Sequence, residues 1–318
     1  MLARSLVIVA AAAVAAGAGS TATGTTREAP LIAPIVYAAG GTGTARTGAE
    51  IYVREAGGTR TRQLTNNRVF EGFPRWSPDR TKIAFVRSNG NDSDIYVMNE
   101  DGTQVRRLAG SARRAQDLYP AWSPNGKLIA FSSNRFGENE VMVMRADGTG
   151  LRRITKTARW VDDTQPVFTP DGKGLVIASN RVAFSNYELF RIRLSDGRVL
   201  KRLTYWGANG DLTPGDDLMP SYSRDGKRIV WVSDRPGVEN RIGYAVWSMN
   251  ADGTDIRRIV RHAGLNIAFP RLAPDGRTLL YSTFEFPPEG APRNFQVRGY
   301  LLEGGAYATY AAGTEGDW

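Results

Sequence analysis

The sequence predicts an all-β fold, a six-bladed β-propeller of four-stranded antiparallel blades. Three observations carry that prediction: one phrase recurs five times at near-constant spacing, Gly-containing turns recur at fixed places inside each copy, and 35 Gly with 16 Pro imply many turns between short strands. The recurring phrase begins at Pro74 (PRWSPDRTKIAFVRS), Pro120 (PAWSPNGKLIAFSSNR), Pro166 (PVFTPDGKGLVIASNR), Pro220 (PSYSRDGKRIVWVSDR) and Pro270 (PRLAPDGRTLLYSTF), at steps of 46, 46, 54 and 50 residues. A partial copy precedes them, PIVYAAGG followed by EIYVREAGGTRTRQLT, which lacks the opening phrase. Five full copies and this segment make six blades.

Each period reads as four strands. The first carries Pro-x-aromatic, and proline, which cannot donate to a ladder, suits the innermost edge beside a central channel. The second, KIAFV in the first full copy, follows a tight turn, at Asn125-Gly126, Asp171-Gly172, Asp225-Gly226 and Asp275-Gly276 in the later copies. The third, as in DIYVMN, leads through Asp101-Gly102, Asp147-Gly148, Asp196-Gly197 or Asp252-Gly253 to the fourth. Such Asp-Gly pairs form hairpin turns because glycine takes positive φ without steric cost, so these aspartates are turn formers rather than catalysts. Trp76, Trp122, Phe168, Tyr222 and Leu272, two residues after each proline, are expected as wedges between blades. The fourth strand carries Arg106-Arg107, Arg152-Arg153, Lys201-Arg202 and Arg257-Arg258, charges that would keep outer edges from pairing with other sheets. The inner strand that the first blade lacks is expected to be either absent or supplied by the segment AYATYAA near the carboxyl terminus.

Composition supports a folded body: 42% of the 318 residues are hydrophobic and 23% charged, with 35 Gly and 16 Pro for turns. Residues 1–18 read as a secretory signal, with Arg4, an apolar run too short to span a bilayer, and an Ala16-Gly17-Ala18 exit. Residues 19–34 read as a flexible tail and 35–318 as the propeller. The expected location is therefore periplasmic or secreted, as a monomer that is not an integral membrane protein once the signal is removed. No cysteine occurs, which excludes disulfides and thiolate metal sites, and His262 is the only histidine, which weakens nucleophile-histidine catalysis and histidine-rich zinc sites. His262 itself reads as a solvent-facing loop residue. The net charge of +9 is scattered around the rim rather than gathered in a stripe with stacking aromatics, so nucleic acid is not an expected partner.

The phrases AWSPNGKLIAFSSNR, DIYVMNEDGTQVRRL and VWSMNADGTDIRRI resemble the TolB-type, WD40-like propeller repeat over about residues 35–310. The resemblance implies a propeller of the cell envelope with a protein partner. TolB also carries an amino-terminal α/β domain, and the dozen or so residues between the signal and the first repeat are too few for one. The propeller is accordingly expected to stand without it.

Variable loops on a rigid scaffold are where binding residues concentrate, and here they are the interblade connections and the loops between strands two and three. On that face a carboxylate stands three residues before the proline of four copies, at Glu71, Asp117, Asp163 and Asp217. These side chains would either tie down the backbone entering strand one or form an acidic partial ring that accepts a basic peptide end or a cation, Ca²⁺ at Asp117, Asp163 and Asp217. No other cofactor is expected. Trp160, Tyr205 and Trp206 lie in the same connections, as blade-end covers or as a platform for a partner. The triplets Ser133-Asn134-Arg135, Ser179-Asn180-Arg181 and Ser233-Asp234-Arg235 read as side-chain-stabilised turns with an arginine bridge. The function expected is an exported, non-catalytic propeller that binds an envelope protein, peptide or glycan through the variable-loop face and channel mouth. The alternative is a glycan-active hydrolase or lyase working through carboxylates.

Overall fold

The computed structural model describes residues 33–317 except 41–47, 58–59, 91, 109–114, 184–185, 206–214, 235–242, 263, 286–292, 304, 306 and 313. The expected signal and nearly all of the expected tail lie outside the described residues. Among the described residues, no helix is long and apolar enough to cross a membrane.

Among the described residues, twenty-four strands form six four-stranded antiparallel sheets, and each of blades two to six takes its strands consecutively from the chain. Their inner strands are Phe70–Trp76, Asp117–Trp122, Asp163–Phe168, Asp217–Tyr222 and Asn266–Leu272. Blade one is composite. Its outer three strands, Ile35–Ala39, Glu50–Arg54 and Thr61–Gln63, come from the amino-terminal side, and its inner strand, Thr314–Asp317, comes from the other end of the chain. Joining both ends in one sheet removes two open edges and locks the ring.

This closure corrects one expectation. The AYATYAA segment supplies Tyr307–Ala312, which pairs with the third strand of blade six in the register Tyr300↔Tyr307. The closing strand is the four residues beyond it, with Val36 opposite Asp317 and Ala38 opposite Thr314. The longer, more apolar segment has the look of an inner strand, but blade six needs an outer one at that point in the chain.

The turns behave as their chemistry requires. Asp171 accepts from the Thr169 hydroxyl at 2.5 Å and the Lys173 amide at 3.0 Å, and Gly172 takes φ +67°. The glycine between strands three and four has a second duty. A Cβ on Gly102 would lie 2.6 Å from the Leu64 carbonyl oxygen of the preceding blade, and Gly148 and Gly197 meet Leu108 and Ile154 in the same way. The outer turn of each of these blades is thus pressed onto the chain just past the fourth strand of its neighbour, too close for a side chain at Gly102 and Gly197 and tight at Gly148. In blades two, three and four the first cation of the basic pair reinforces the seam: Arg106 donates to the Asp147 carbonyl at 2.8 Å, Arg152 to the Leu194 carbonyl at 3.2 Å and Lys201 to the Asp252 carbonyl at 2.6 Å. The second cation pairs within its own blade, Arg107 with Asp94, Arg153 with Glu140 and Arg202 with Glu188. The rim charges therefore join blades as well as protecting edges.

Trp76, Phe168 and Leu272 are buried wedges as expected, while Trp122 and Tyr222 are half-buried against the core that holds Leu272. His262 departs from expectation. It hydrogen-bonds the Tyr281 hydroxyl at 2.7 Å and stacks on that ring, so burial, with Arg298 nearby, pushes its pKa down to about 4 and it is neutral at physiological pH.

Candidate functional site

The axis of the propeller is built from a backbone irregularity that the sequence pattern did not reveal. The residue before each strand-one proline has positive φ, from 53° to 58°, at Phe73, Tyr119, Gln165, Met219 and Phe269, and each lies where the register of strands one and two slips. These are β-bulges, one of the few places a sheet tolerates proline. The five side chains interlock around the axis. Gln165 accepts the Met219 amide at 2.8 Å, the Met219 sulfur accepts the Phe269 amide at 3.2 Å, and Phe73 packs edge-on to Phe269 and Tyr119. Four of them, Tyr119, Gln165, Met219 and Phe269, floor a cavity of about 510 Å³ that opens on the face of the strand one to strand two turns. The channel is thus a cup on that face.

On the opposite, variable-loop face, the recurring carboxylates are buried and engaged. Glu71 is fully buried and receives Arg87 Nη2 at 2.6 Å and the Asn67 amide nitrogen at 3.0 Å. Asp117 receives Arg135 at 2.7 and 2.9 Å, Asp163 receives Arg181 at 2.6 and 2.7 Å, and Asp217 accepts the Trp231 indole N–H at 3.0 Å. Burial pushes the Asp117 carboxyl up, against the pull of Ser133 and Arg135.

The Ser-Asn-Arg triplets are the other half of this device. Asp117, Asp163 and Asp217 stand directly across the ladder from Ser133, Ser179 and Ser233. The serine hydroxyl orients the arginine, at 2.9 Å for Ser133 with Arg135 and 3.0 Å for Ser179 with Arg181. The middle residue clamps the incoming connection, since Asn134, Asn180 and Asp234 accept the amides of Gln116, Asp162 and Asp216 at 2.7, 2.7 and 2.6 Å. The sequence signal for the pairing was the constant separation of 18 residues between each Asp and its Arg in blades three and four. An incoming cation would have to displace these arginines, and among the described residues no three His, Cys, Asp or Glu side chains gather to hold a metal ion.

Two of the three aromatics are described, and both are presented to solvent. Trp160 is 59% exposed, and Tyr205 43%. Trp206 lies outside the described residues. Trp160 has φ +72°, a rare conformation for a bulky residue, and it is held from both sides: Glu138 accepts its amide at 3.1 Å and Asn180 donates to its carbonyl at 3.2 Å. Arg159 stacks on the indole at 4.7 Å, and Arg202, paired with Glu188, stacks on Tyr205 at 4.5 Å. The two rings sit on successive connections, and no ring contact between them occurs among the described residues.

Beside them lies a second tier of acids that the three-before-proline count passed over. Asp162 accepts the Tyr187 hydroxyl at 3.0 Å and the Asn139 amide at 2.7 Å, and Asp216 accepts the Tyr187 amide at 2.9 Å. Burial, with Asp234 and Asp217 close by, pushes Asp216 up to about 6.

Fold and repeat together define a class, a six-bladed propeller assembled from repeats of the TolB type. The family model of the TolB beta propeller domain matches residues 113–211. A 59-residue stretch is 37% identical to the Tol-Pal system protein TolB of Alkalilimnicola ehrlichii, covering 19% of this chain and 14% of that protein. The chain thus matches about one seventh of that curated relative's length. The crystal structure of TolB from Acinetobacter baumannii superimposes with a TM-score of 0.71 at 21% identity, over 91% of this chain and 67% of that one. An oligogalacturonate lyase in complex with manganese shares the fold with a TM-score of 0.51 at 15% identity, over 89% and 73% of the two chains. At these identities the structural likenesses concern fold.

Proposed function

We propose that this chain is a non-catalytic binding propeller of the cell envelope, periplasmic or secreted, that takes a protein, peptide or glycan partner on its variable-loop face. The observation that carries the reading is Trp160. A large indole exposed to solvent on a left-handed backbone, fixed by Glu138 and Asn180 and backed by Arg159, is costly to the fold and suited to a partner. Tyr205 on the next connection extends the surface, and Trp206 beside it in sequence is assigned to the same platform. In this reading Glu71, Asp117 and Asp163 serve the partner indirectly, by fixing Arg87, Arg135 and Arg181 at the ends of the blades. The envelope location rests on the signal-like residues 1–18 and on the likeness to TolB.

The test is capture from an envelope fraction on the immobilised protein, in parallel with a Trp160→Ala, Tyr205→Ala variant. The reading expects partners retained by the parent and lost by the variant, whose unfolding curve stays that of the parent. Equal capture by both would refute it.

A second reading, a glycan-active enzyme working through carboxylates, draws on Asp216, whose raised pKa suits a general acid. Turnover of an acidic or neutral oligosaccharide by the parent and its loss in Asp216→Asn would favour that reading.

A further inference from the structure

The cup on the turn face is independent of the variable-loop platform, and the repeat supplies its own standard for reading it. In the turn between strands one and two, blades three to six place glycine at the second turn position, as Gly126, Gly172, Gly226 and Gly276, all at positive φ. Blade two has Arg80 there, at φ +59°. An arginine in a left-handed turn is strained relative to the glycine of the other copies. Two residues before that glycine the other blades have proline, at Pro78, Pro124, Pro170 and Pro274, whereas blade five has Arg224. Both departures from the repeat add a cation to the lining of the same cavity.

Two more arginines stand deeper. Arg75 and Arg271 follow the strand-one proline in blades two and six, on either side of blade one, and both line the cup. Arg75 is only 8% exposed and donates to the Pro74 carbonyl at 2.7 Å. Arg271 donates to the Pro270 carbonyl at 2.9 Å and lies 3.4 Å from Asp317, the one carboxylate among the described lining residues. The cations crowd one another. Burial and then Arg224 lower the pKa of Arg80, and burial and then Arg75 lower that of Arg271, to about 9. Trp76 in the wall is buried, with an indole N–H that has no hydrogen-bond partner. Four arginines and one carboxylate line this concave cavity, which gives it a net positive wall and the size of a ligand site.

We propose that the cup is an oxyanion-binding site, taking a small anion of two or more charges whose carboxylate or phosphate oxygens bridge the mouth arginines, Arg80 and Arg224, and the deeper Arg75 and Arg271. Asp317 is the internal competitor for that ligand.

The test is isothermal titration calorimetry on the full chain at low ionic strength, with citrate and inorganic phosphate as probes and tryptophan emission as a second readout. One-to-one saturable binding is expected, and the tighter probe assigns carboxylate or phosphate chemistry to the site. Arg80→Gly and Arg224→Pro restore the residues the repeat uses elsewhere, so they relax the turns rather than endanger the fold. Each is expected to weaken the tighter probe about tenfold, one charge-assisted contact apiece. Asp317→Asn keeps an acceptor and removes the competing charge, so it should tighten the probe severalfold. Absence of saturable binding by both probes, or affinities unmoved by Arg80→Gly and Arg224→Pro, would overturn the proposal. Trp160→Ala should leave anion affinity unchanged, so this site and the variable-loop platform stand or fall separately.

Discussion

Replacing Asp317 by alanine should loosen the whole ring from the last strand of the chain. Its carboxylate accepts the buried Trp76 amide of blade two at 3.0 Å and lies 3.4 Å from Arg271 of blade six, so one side chain bridges the blades that flank blade one. Removing the acceptor leaves a buried backbone N–H without a partner, at about 1–3 kcal/mol. The lost ion pair is about 15% exposed at each end and adds about 1 kcal/mol, below the fully buried limit because solvent reaches it. A total loss of about 2–4 kcal/mol is expected from these two terms. Urea denaturation followed by tryptophan fluorescence reads it as a lower midpoint at unchanged slope. Asp317→Asn, which can still accept from Trp76, should lose about half as much. Truncation after Ala312, which keeps the outer strand of blade six and deletes the closing strand, should lower stability further and broaden the transition. An Asp317→Ala midpoint within about 0.5 kcal/mol of the parent would refute closure by this strand.

Three further outcomes follow from the seams and the buried charges. Gly102→Ala forces a Cβ to within 2.6 Å of the Leu64 carbonyl at φ +87°, and should cost about 2–4 kcal/mol in thermal or urea unfolding, more than left-handed strain of about 1–2 kcal/mol alone. Arg153→Gln leaves Glu140, 2% exposed, without its cation, and should destabilise by about 2–3 kcal/mol while Arg152→Gln, on the exposed edge, stays within about 1 kcal/mol. Asp216 has a raised pKa, so its protonated form is favoured by the fold: stability contributed by protonation is present below the ordinary carboxylate range and is lost as pH rises toward about 6. Asp216→Asn should therefore be more stable than the parent at pH 7.5 by up to about 3 kcal/mol, with the gap closing toward pH 4, as unfolding curves across that range would show.

What the sequence disclosed and what it concealed have separate physical origins. Blade count, strand order and turns were legible because they rest on local signals, the Pro-x-aromatic phrase and the Asp-Gly pairs, repeated often enough to remove ambiguity. The identity of the closing strand was hidden because Thr314–Asp317 is short and carries no strand signature of its own, and its pairing with Val36 and Ala38 is a contact across the whole chain. The positive φ before each strand-one proline was hidden too, since Phe, Tyr, Gln and Met give no sign of a left-handed backbone and the bulge arises only when strands one and two are paired. At the variable-loop face the sequence located Glu71, Asp117, Asp163, Asp217, Trp160 and Tyr205 at the ends of the blades. It also suggested an arginine bridge in the Ser-Asn-Arg turns, without joining the two observations into the Asp117 to Arg135 and Asp163 to Arg181 pairs. Asp216 was passed over because nothing in an Asp-Asp doublet says which of the two is buried among other acids. The cup arginines were visible as residues, yet their significance emerged only when Arg80 and Arg224 were found lining one cavity.

The central claim, that a partner is held on the variable-loop face around Trp160, is tested most directly by amide hydrogen exchange of the protein alone and with a captured envelope partner. Exchange should slow in residues 158–163 and 203–205 on binding, with the outer turns at Asp101-Gly102 and Asp147-Gly148 unchanged. Protection confined to those turns, with Trp160 and its neighbours exchanging as in the free protein, would contradict it.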